Sequence, residues 1–211
     1  MPLTFPSHQA LEFSLFYRVR DKINPIAIFM GSVLPDFEVL LNNLGLSNNT
    51  HIFHSLIGLL ILIIPFGLVL TLVSHFLIVE FNNYLQSRQL NGKIEILSKI
   101  VNYYFDNKLQ ITNKYLITAT ISIFIGGLSH FVLDLPSHEF SYIFLPFFTI
   151  QLPEPFLILL YDVGTLRLPF TSKDMNIYVH VVIWFIETLL LGLISVYYMI
   201  KLAKEPFQKK P

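Results

Sequence analysis

The chain has 211 residues, of which 54% are hydrophobic and only 13% are charged, and its 14 Lys and Arg balance 14 Asp and Glu. Its mean hydropathy of +0.61 exceeds what a soluble domain of this length needs, so the composition indicates an integral cell membrane protein. The zero net charge offers no basic excess for nucleic acid, and the lack of cysteine excludes disulfides, thiolate metal sites and a cysteine nucleophile.

The N-terminal part of the chain predicts short helices rather than membrane spans. Ser7 is a predicted N-cap for a helix over residues 8–20, which at about 13 residues is too short to cross a bilayer. Residues 26–34 are apolar until Pro35-Asp36 interrupts them, and a further short helix is predicted over residues 37–44. This region therefore has the form of a broken, re-entrant pair of helices.

Three later stretches are long and apolar enough to span a bilayer, at about 1.5 Å per residue. They cover residues 55–79, 115–133 and 177–200. Between the first two, residues 80–114 are polar and basic, which predicts a cytoplasmic connection with an amphipathic helix over residues 93–105.

The stretch from Phe140 to Tyr161 is apolar but cut by Pro146, Pro153 and Pro155. It predicts short helical pieces at membrane depth or at the interface. The expected fold class is therefore all-α, a polytopic helical membrane protein with three clear transmembrane helices plus short, broken or re-entrant helices. No linker divides the chain, so residues 1–211 form one predicted domain, with its chemistry in residues 1–138.

Lysine and arginine placement predicts the orientation of the chain. Every one of the 14 Lys and Arg residues except Arg167 and Lys173 falls at one predicted surface, which the positive-inside rule makes cytoplasmic. The same predicted topology places a second set of polar residues at the opposite, extracytoplasmic ends of the helices. They are His8, Asp36, His51, His54, His130, Asp134 and His138.

The stretch from Gly126 to His138, GGLSHFVLDLPSH, contains three of these polar residues within 13 positions. On a helix, His130 and Asp134 lie four residues apart and share one face, which suits two ligands of one metal ion. Ionisable groups at membrane depth usually pair, line a cavity or bind an ion. The alternative for this stretch is a His–Asp pair that neutralises itself between helices.

Four more residues extend the predicted metal site. His51 and His54 are three apart at the start of the first span, and they would be neighbours if the helix begins there. A histidine at a membrane interface can also be simply amphipathic. His8 begins a short helix, and Asp36 stands in an apolar stretch where an unpaired carboxylate would be costly.

Other titratable residues have different predicted roles. Glu38, His138 and Glu139 are candidate catalytic acids or bases beside the metal ligands. His75 should be a bystander, because it lies about 30 Å along its helix from His54. His180 is a candidate for a residue that lies around the metal ligands without binding the metal itself.

These residues carry a resemblance to known proteins. The motifs Thr4-Phe5-Pro6-Ser7-His8, Gly31-Ser32-Val33-Leu34-Pro35-Asp36, His54-Ser55 and Ser129-His130 with Asp134 resemble a family of prokaryotic membrane proteins of unknown function that open with a Pro-x-Thr-Ser-His type sequence. That family is similar to membrane-bound, metal-dependent hydrolases related to zinc-dependent phospholipase C. The resemblance covers roughly residues 2–138, and it implies a site of His and Asp ligands for one or two metal ions on a helical membrane scaffold.

The expected function is hydrolysis of a lipid-linked ester or phosphoester by metal-activated water. Imidazole and carboxylate ligands fit Zn²⁺, with Mn²⁺ or Fe²⁺ also possible. A divalent-metal or proton transporter is one alternative, because His and Asp inside a bundle also mark ion pathways. A structural membrane protein whose metal only staples the helices is another.

Overall fold

A computed structural model describes residues 4–38, 41, 51–87, 93–105, 111–136, 138–168 and 171–207 of the chain. Its helices are α1 Thr4–Ser7, α2 Ala10–Val19, α3 Pro25–Val33, α4 Leu56–Ser87, α5 Lys93–Tyr104, α6 Asn113–Asp134 and α7 Val179–Lys204. Its strands are β1 Phe140–Ser141, β2 Ile150–Gln151, β3 Leu159–Leu168 and β4 Thr171–Tyr178.

Helices α4, α6 and α7 are long and apolar enough to cross a membrane, with 32, 22 and 26 residues. The prediction of three candidate spans is therefore confirmed by length and composition. Helix α4 runs past its predicted end at Val79 because polar residues continue the helix and pack against α5. Buried Asn82 donates to Asn102 at 2.8 Å and accepts from Ser98 at 2.9 Å.

The N-terminal helices differ from the prediction in one respect. Ser7 ends α1 rather than capping a helix over residues 8–20, and α2 begins at Ala10 without a side-chain cap. The reason is that Gln9, at the break, is buried and donates to Ser32 Oγ at 3.1 Å. The chain therefore turns between α1 and α2, with His8 inside the protein.

Helix α3 begins where its sequence predicts. Asn24 Oδ1 accepts hydrogen bonds from the backbone of Ile26 and Ala27, and Pro25 occupies the first helical position. The helix tightens into a 3-10 turn over Leu34–Asp36, as the Pro-Asp break predicts. The helix predicted over residues 37–44 continues through Phe37 and Glu38, and its remainder lies almost wholly outside the described residues.

Helices α3 and α6 pack with their backbones unusually close. A Cβ on Gly31 would lie 2.2 Å from the Ile123 carbonyl oxygen, and a Cβ on Gly126 would lie 2.2 Å from the Ile28 carbonyl oxygen. Only glycine permits this approach. Because the Leu34–Asp36 turn follows α3, the contact brings Asp36 toward the end of α6.

The region after α6 corrects the all-α expectation. Residues 140–161, predicted as helical pieces, keep one 3-10 turn over Glu154–Leu157 but also contain the short β1–β2 pair and enter the longer antiparallel β3–β4 hairpin. Prolines cannot donate backbone hydrogen bonds inside a helix, so extended pairing satisfies this backbone better. The fold is mainly helical with two β-hairpins.

The basic ends of three helices meet away from the histidines. Arg20, after α2, donates to Glu205, after α7, at 3.0 Å and to Tyr103 of α5 at 2.6 Å. Tyr104 donates to the Leu202 carbonyl at 2.7 Å. The ends that the charge pattern groups together are therefore in contact.

Candidate metal centre

Four residues from three elements converge at one point. Asp36 ends the 3-10 turn after α3, and His54 ends the 3-10 turn Ile52–His54 before α4. His130 and Asp134 come from the last turns of α6. One ligand atom from each residue lies within 4.8 Å of the others, so these side chains could hold a metal ion.

The spacing of these atoms matches coordination of one ion. His130 Nε2 lies 3.1 Å from Asp134 Oδ2 and 3.6 Å from Asp36 Oδ1. His54 Nε2 lies 3.4 Å from Asp36 Oδ1 and 3.8 Å from Asp134 Oδ2. Two ligands at about 2.0–2.2 Å from a tetrahedral ion are roughly 3.3–3.6 Å apart. The set needs only small adjustments to enclose a cation.

The hydrogen bonding of His130 tests whether a cation fits among these four residues. The distance from His130 Nδ1 to the Ser32 carbonyl oxygen is 2.7 Å. Because a carbonyl oxygen can only accept, Nδ1 carries the proton in this geometry. Nε2 is buried, and among the described residues it has no hydrogen-bond partner of acceptable geometry. A neutral imidazole would direct its lone pair at two carboxylates. Only a second proton or a cation relieves that repulsion, and the donor set fits a divalent cation.

Two further histidines contact the buried carboxylate Asp134. His8 Nε2 lies 3.4 Å from Oδ1, and His138 Nε2 lies 3.6 Å from Oδ2. His8 also places Nδ1 3.1 Å from Nδ1 of His130. Both oxygens of Asp134 therefore face imidazoles, as in the carboxylate–histidine arrangements that orient metal ligands.

His8 and His54, two of the histidines outside the spans, differ in charge. Burial and the neighbouring His130 lower the pKa of His8 to about 4, so His8 is neutral at pH 7. Burial also acts to lower the pKa of His54, but its contacts with Asp36 and Glu38 outweigh burial and raise that pKa to about 9. Without a bound cation, His54 is therefore protonated at pH 7 and offsets part of the negative charge of the carboxylates.

Glu38 builds the turn that presents His54. It is buried, and its two oxygens accept hydrogen bonds from the backbone N–H of His51 at 2.5 Å and of Phe53 at 3.2 Å. Burial opposes ionisation, but these bonds and His54 hold the pKa of Glu38 below its usual value. The carboxylate stays ionised and anchors the turn.

His51 precedes the 3-10 turn that ends at His54, so the two residues do not share a helix face as expected. Its backbone is left-handed, with φ of 53°, a conformation that non-glycine residues rarely adopt. The ring stacks on Tyr142 with a centroid distance of 4.1 Å. Burial lowers the pKa of His51. It forms part of the wall of the site rather than joining the four converging residues.

A cavity of about 330 Å³ opens onto the cluster. Its polar lining contains two of the converging carboxylates together with His138 and Glu139, and its apolar wall comes from the end of α6 and the β1 region. The lining residues are Asp36, Glu38, His51, His54, Phe131, Asp134, Leu135, His138, Glu139, Phe140, Ser141, Tyr142 and Ile143. The candidate catalytic residues therefore surround one cavity.

The remaining histidines lie elsewhere. His75 is buried with Nδ1 3.2 Å from the Tyr115 hydroxyl, and His180 has Nδ1 3.1 Å from the Phe156 carbonyl oxygen. His180 also stacks on Tyr178. Neither belongs to the group that could hold a metal.

Two carboxylates were not predicted as part of the site. Glu187 of α7 interacts electrostatically with Asp134, and a single charge in an apolar span is the signal that could have identified it. Glu12 of α2 is buried and accepts a hydrogen bond from the Ser129 hydroxyl. Burial raises the pKa of Glu12 to about 7. Its place beside His130 follows from tertiary packing alone.

Comparison with known proteins gives one result. No curated protein and no solved structure matches this chain, so the resemblance to metal-dependent hydrolases stays a prediction. A family model described as "Domain of unknown function (DUF4184)" matches residues 1–210. The match covers the cluster, the cavity and all three candidate spans. The chain belongs to the family of proteins defined by this domain of unknown function, DUF4184.

Proposed function

We propose that the protein is a membrane-bound, metal-dependent hydrolase that acts on a lipid-linked ester or phosphoester. The observation that carries the proposal is the convergence of Asp36, His54, His130 and Asp134 beside a cavity. A divalent cation held by these residues would polarise an ester or phosphoester oxygen and lower the pKa of a water molecule. Zn²⁺ suits the ligand types, and Mn²⁺ or Fe²⁺ are alternatives.

The residues around the cluster would have two roles, proton transfer and the positioning of His54. His138 is partly exposed on the cavity and contacts Asp134 Oδ2 at 3.6 Å, so it can move a proton between the cavity and the cluster. Glu139 is exposed on the same wall. Glu38 positions His54 through the turn, which favours His138 or Glu139 for proton transfer.

The cavity supports a lipid-linked substrate. Phe131, Leu135 and Ile143 give it an apolar wall, and the cluster lies where α6 ends and α4 begins. A headgroup can enter the polar part while its chains remain in the membrane. The contact between the basic helix ends supports a cytoplasmic position for those ends under the positive-inside rule, and we propose that the cavity opens at the extracytoplasmic face.

The test is hydrolysis in liposomes that contain the purified full chain and added Zn²⁺ or Mn²⁺. A panel of fluorogenic phospholipids and glycerol esters would report turnover by wild type, Asp36→Asn and His138→Ala. We expect both variants to lose turnover and His138→Ala to keep its metal. His180→Ala is the matched control, because His180 lies outside the cluster. Equal rates for wild type and Asp36→Asn on every substrate would refute the proposal.

One observation favours a second candidate, transport of a divalent metal or proton. Glu12 accepts a hydrogen bond from Ser129, the residue before His130, and with Arg18 it lines a second cavity of about 310 Å³. This second cavity shares no lining residue with the first. Metal uptake into proteoliposomes that is abolished by Glu12→Gln, without hydrolysis, would favour transport. A metal that only raises thermal stability would indicate the structural staple.

A further inference from the structure

Residues 140–161, here called the aromatic segment, expose a large apolar surface. Phe147 is 79% exposed and Phe148 is 56% exposed. Large apolar side chains are also exposed at the other end of the segment, at Ile158, Leu159, Leu160 and Tyr161. Glu154 is the only charged residue in the segment. A high density of exposed apolar side chains marks a contact with a partner or a membrane.

Two backbone hydrogen bonds tie the aromatic segment to the membrane spans. The Leu56 N–H, in the first residue of α4, donates to the Ile143 carbonyl at 2.9 Å. The Val179 N–H, in the first residue of α7, donates to the Ile158 carbonyl at 3.1 Å. The first N–H groups of a helix have no partner within it. The segment therefore caps two spans, and its position relative to the bilayer follows theirs.

The backbone of the segment is suited to a poorly hydrated layer. Phe140 and Ser141 pair with Gln151 and Ile150 across the β1–β2 ladder. Inside the loop, backbone bonds run from Leu145 N–H to the Tyr142 carbonyl and from Phe147 N–H to the Phe144 carbonyl, each at 3.0 Å. Lipid offers no replacement for unmade backbone bonds. Local pairing lets this loop leave water without that cost.

We propose that the aromatic segment inserts into the interfacial layer of the bilayer that the protein itself spans. The partner is a lipid surface, because the patch is almost uncharged, rich in aromatic residues and continuous with two spans. Aromatic side chains favour the headgroup level of a membrane. Phe140, Tyr142 and Ile143 also line the cavity, so one wall of the cavity would border lipid. If the proposed hydrolase function holds, its substrate enters from the membrane through this wall.

Tryptophan quenching tests the position of the segment. Trp184 is the only tryptophan, so Trp184→Phe gives a background without tryptophan. Phe147→Trp would be introduced there and the full chain reconstituted in liposomes without metal. We expect lipids brominated near the glycerol end of the chain to quench this tryptophan several-fold more than lipids brominated near the methyl end. Aqueous iodide should quench it several-fold less than free N-acetyltryptophanamide.

Phe66→Trp in the same background is the matched control, because Phe66 is 40% exposed and lies about 15 Å into α4. It should show the reverse preference between the two brominated lipids. Phe148→Trp serves as a second reporter if Phe147→Trp expresses poorly. Strong iodide quenching at both reporters without lipid quenching would overturn the proposal. Resistance to both quenchers would also overturn it, because it would indicate protein contact. Neither outcome depends on metal or turnover, so the result is separate from the hydrolase test.

Discussion

Replacement of Asp134 by Asn tests the metal centre most directly. Asp134 is 7% exposed, and its Oδ2 lies 3.1 Å from His130 Nε2 and 3.8 Å from His54 Nε2. Asparagine keeps the size of the side chain but removes the negative charge. The variant therefore changes the affinity for a cation more than it changes packing.

The size of the effect follows from the four converging residues. Zinc binding to four-ligand peptide sites contributes about 10–16 kcal/mol. One ligand in four therefore accounts for about 2.5–4 kcal/mol, or roughly 10²–10³-fold in affinity at 1.4 kcal/mol per tenfold. We expect wild type to bind Zn²⁺ stoichiometrically and Asp134→Asn to be largely empty at the same free metal concentration.

Two measurements check this result, elemental analysis and the shift in apparent Tm on adding Zn²⁺. Metal at 100 times its Kd stabilises the folded state by about 2.7 kcal/mol, so wild type should gain apparent Tm and Asp134→Asn should not. Glu80→Gln is the control, since it removes an exposed carboxylate of α4. An equal gain in wild type and Asp134→Asn would refute the metal centre. A variant that is destabilised without metal, beside a wild type that gains nothing from metal, would instead indicate a self-neutralising His–Asp network.

Three further predictions concern packing, pH and the turn. Gly126→Ala places a Cβ 2.2 Å from the Ile28 carbonyl oxygen, so it should separate α3 from α6 and lower both apparent Tm and metal content. Gly192→Ala, with 4.0 Å to its nearest neighbour, should change neither. Metal-free wild type should lose stability relative to Glu12→Gln from about pH 4.5 to pH 7, because burial raises the pKa of Glu12 to about 7. The relative loss is roughly 3 kcal/mol at 1.36 kcal/mol per pKa unit, measured as the difference between thermal melts of the two proteins. The comparison cancels the opposite contribution of His8, which both proteins share. Glu38→Ala removes the acceptor of two backbone N–H groups and should cost about 2–6 kcal/mol in thermal melts, at about 1–3 kcal/mol for each unsatisfied group.

The sign of the pH effect follows from proton binding. The folded state holds the Glu12 proton to a higher pH than the unfolded chain, so unfolding releases it between the two pKa values and stability falls as pH rises. Parallel profiles for wild type and Glu12→Gln would contradict the buried position of this carboxylate. Equal stability of Gly126→Ala and Gly192→Ala would contradict the close approach of α3 and α6. An unchanged melt of Glu38→Ala would contradict the role of Glu38 in the turn.

The long apolar helices could be predicted from sequence because hydropathy and length are local properties of the chain. The same is true of the His130 and Asp134 pair, since a helix puts residues four apart on one face wherever it lies. The hairpins were missed because proline interruptions disfavour a regular helix without specifying the pairing that replaces it. The helix face expected for His51 and His54 does not form, because His51 has a left-handed backbone and its N–H is bound by Glu38, 13 residues earlier.

The sequence by itself determined the class of protein, the three candidate spans and the types of ligand present, because these depend on composition and short-range spacing. The charge pattern grouped Asp36 and His54 with the α6 pair at one surface, but only tertiary structure brought their ligand atoms within 4.8 Å of one another. That approach requires the glycine contact between α3 and α6 and the turn held by Glu38. It also decided the position of Glu12. Convergence of distant residues is a property of packing, and no local pattern in the chain encodes it.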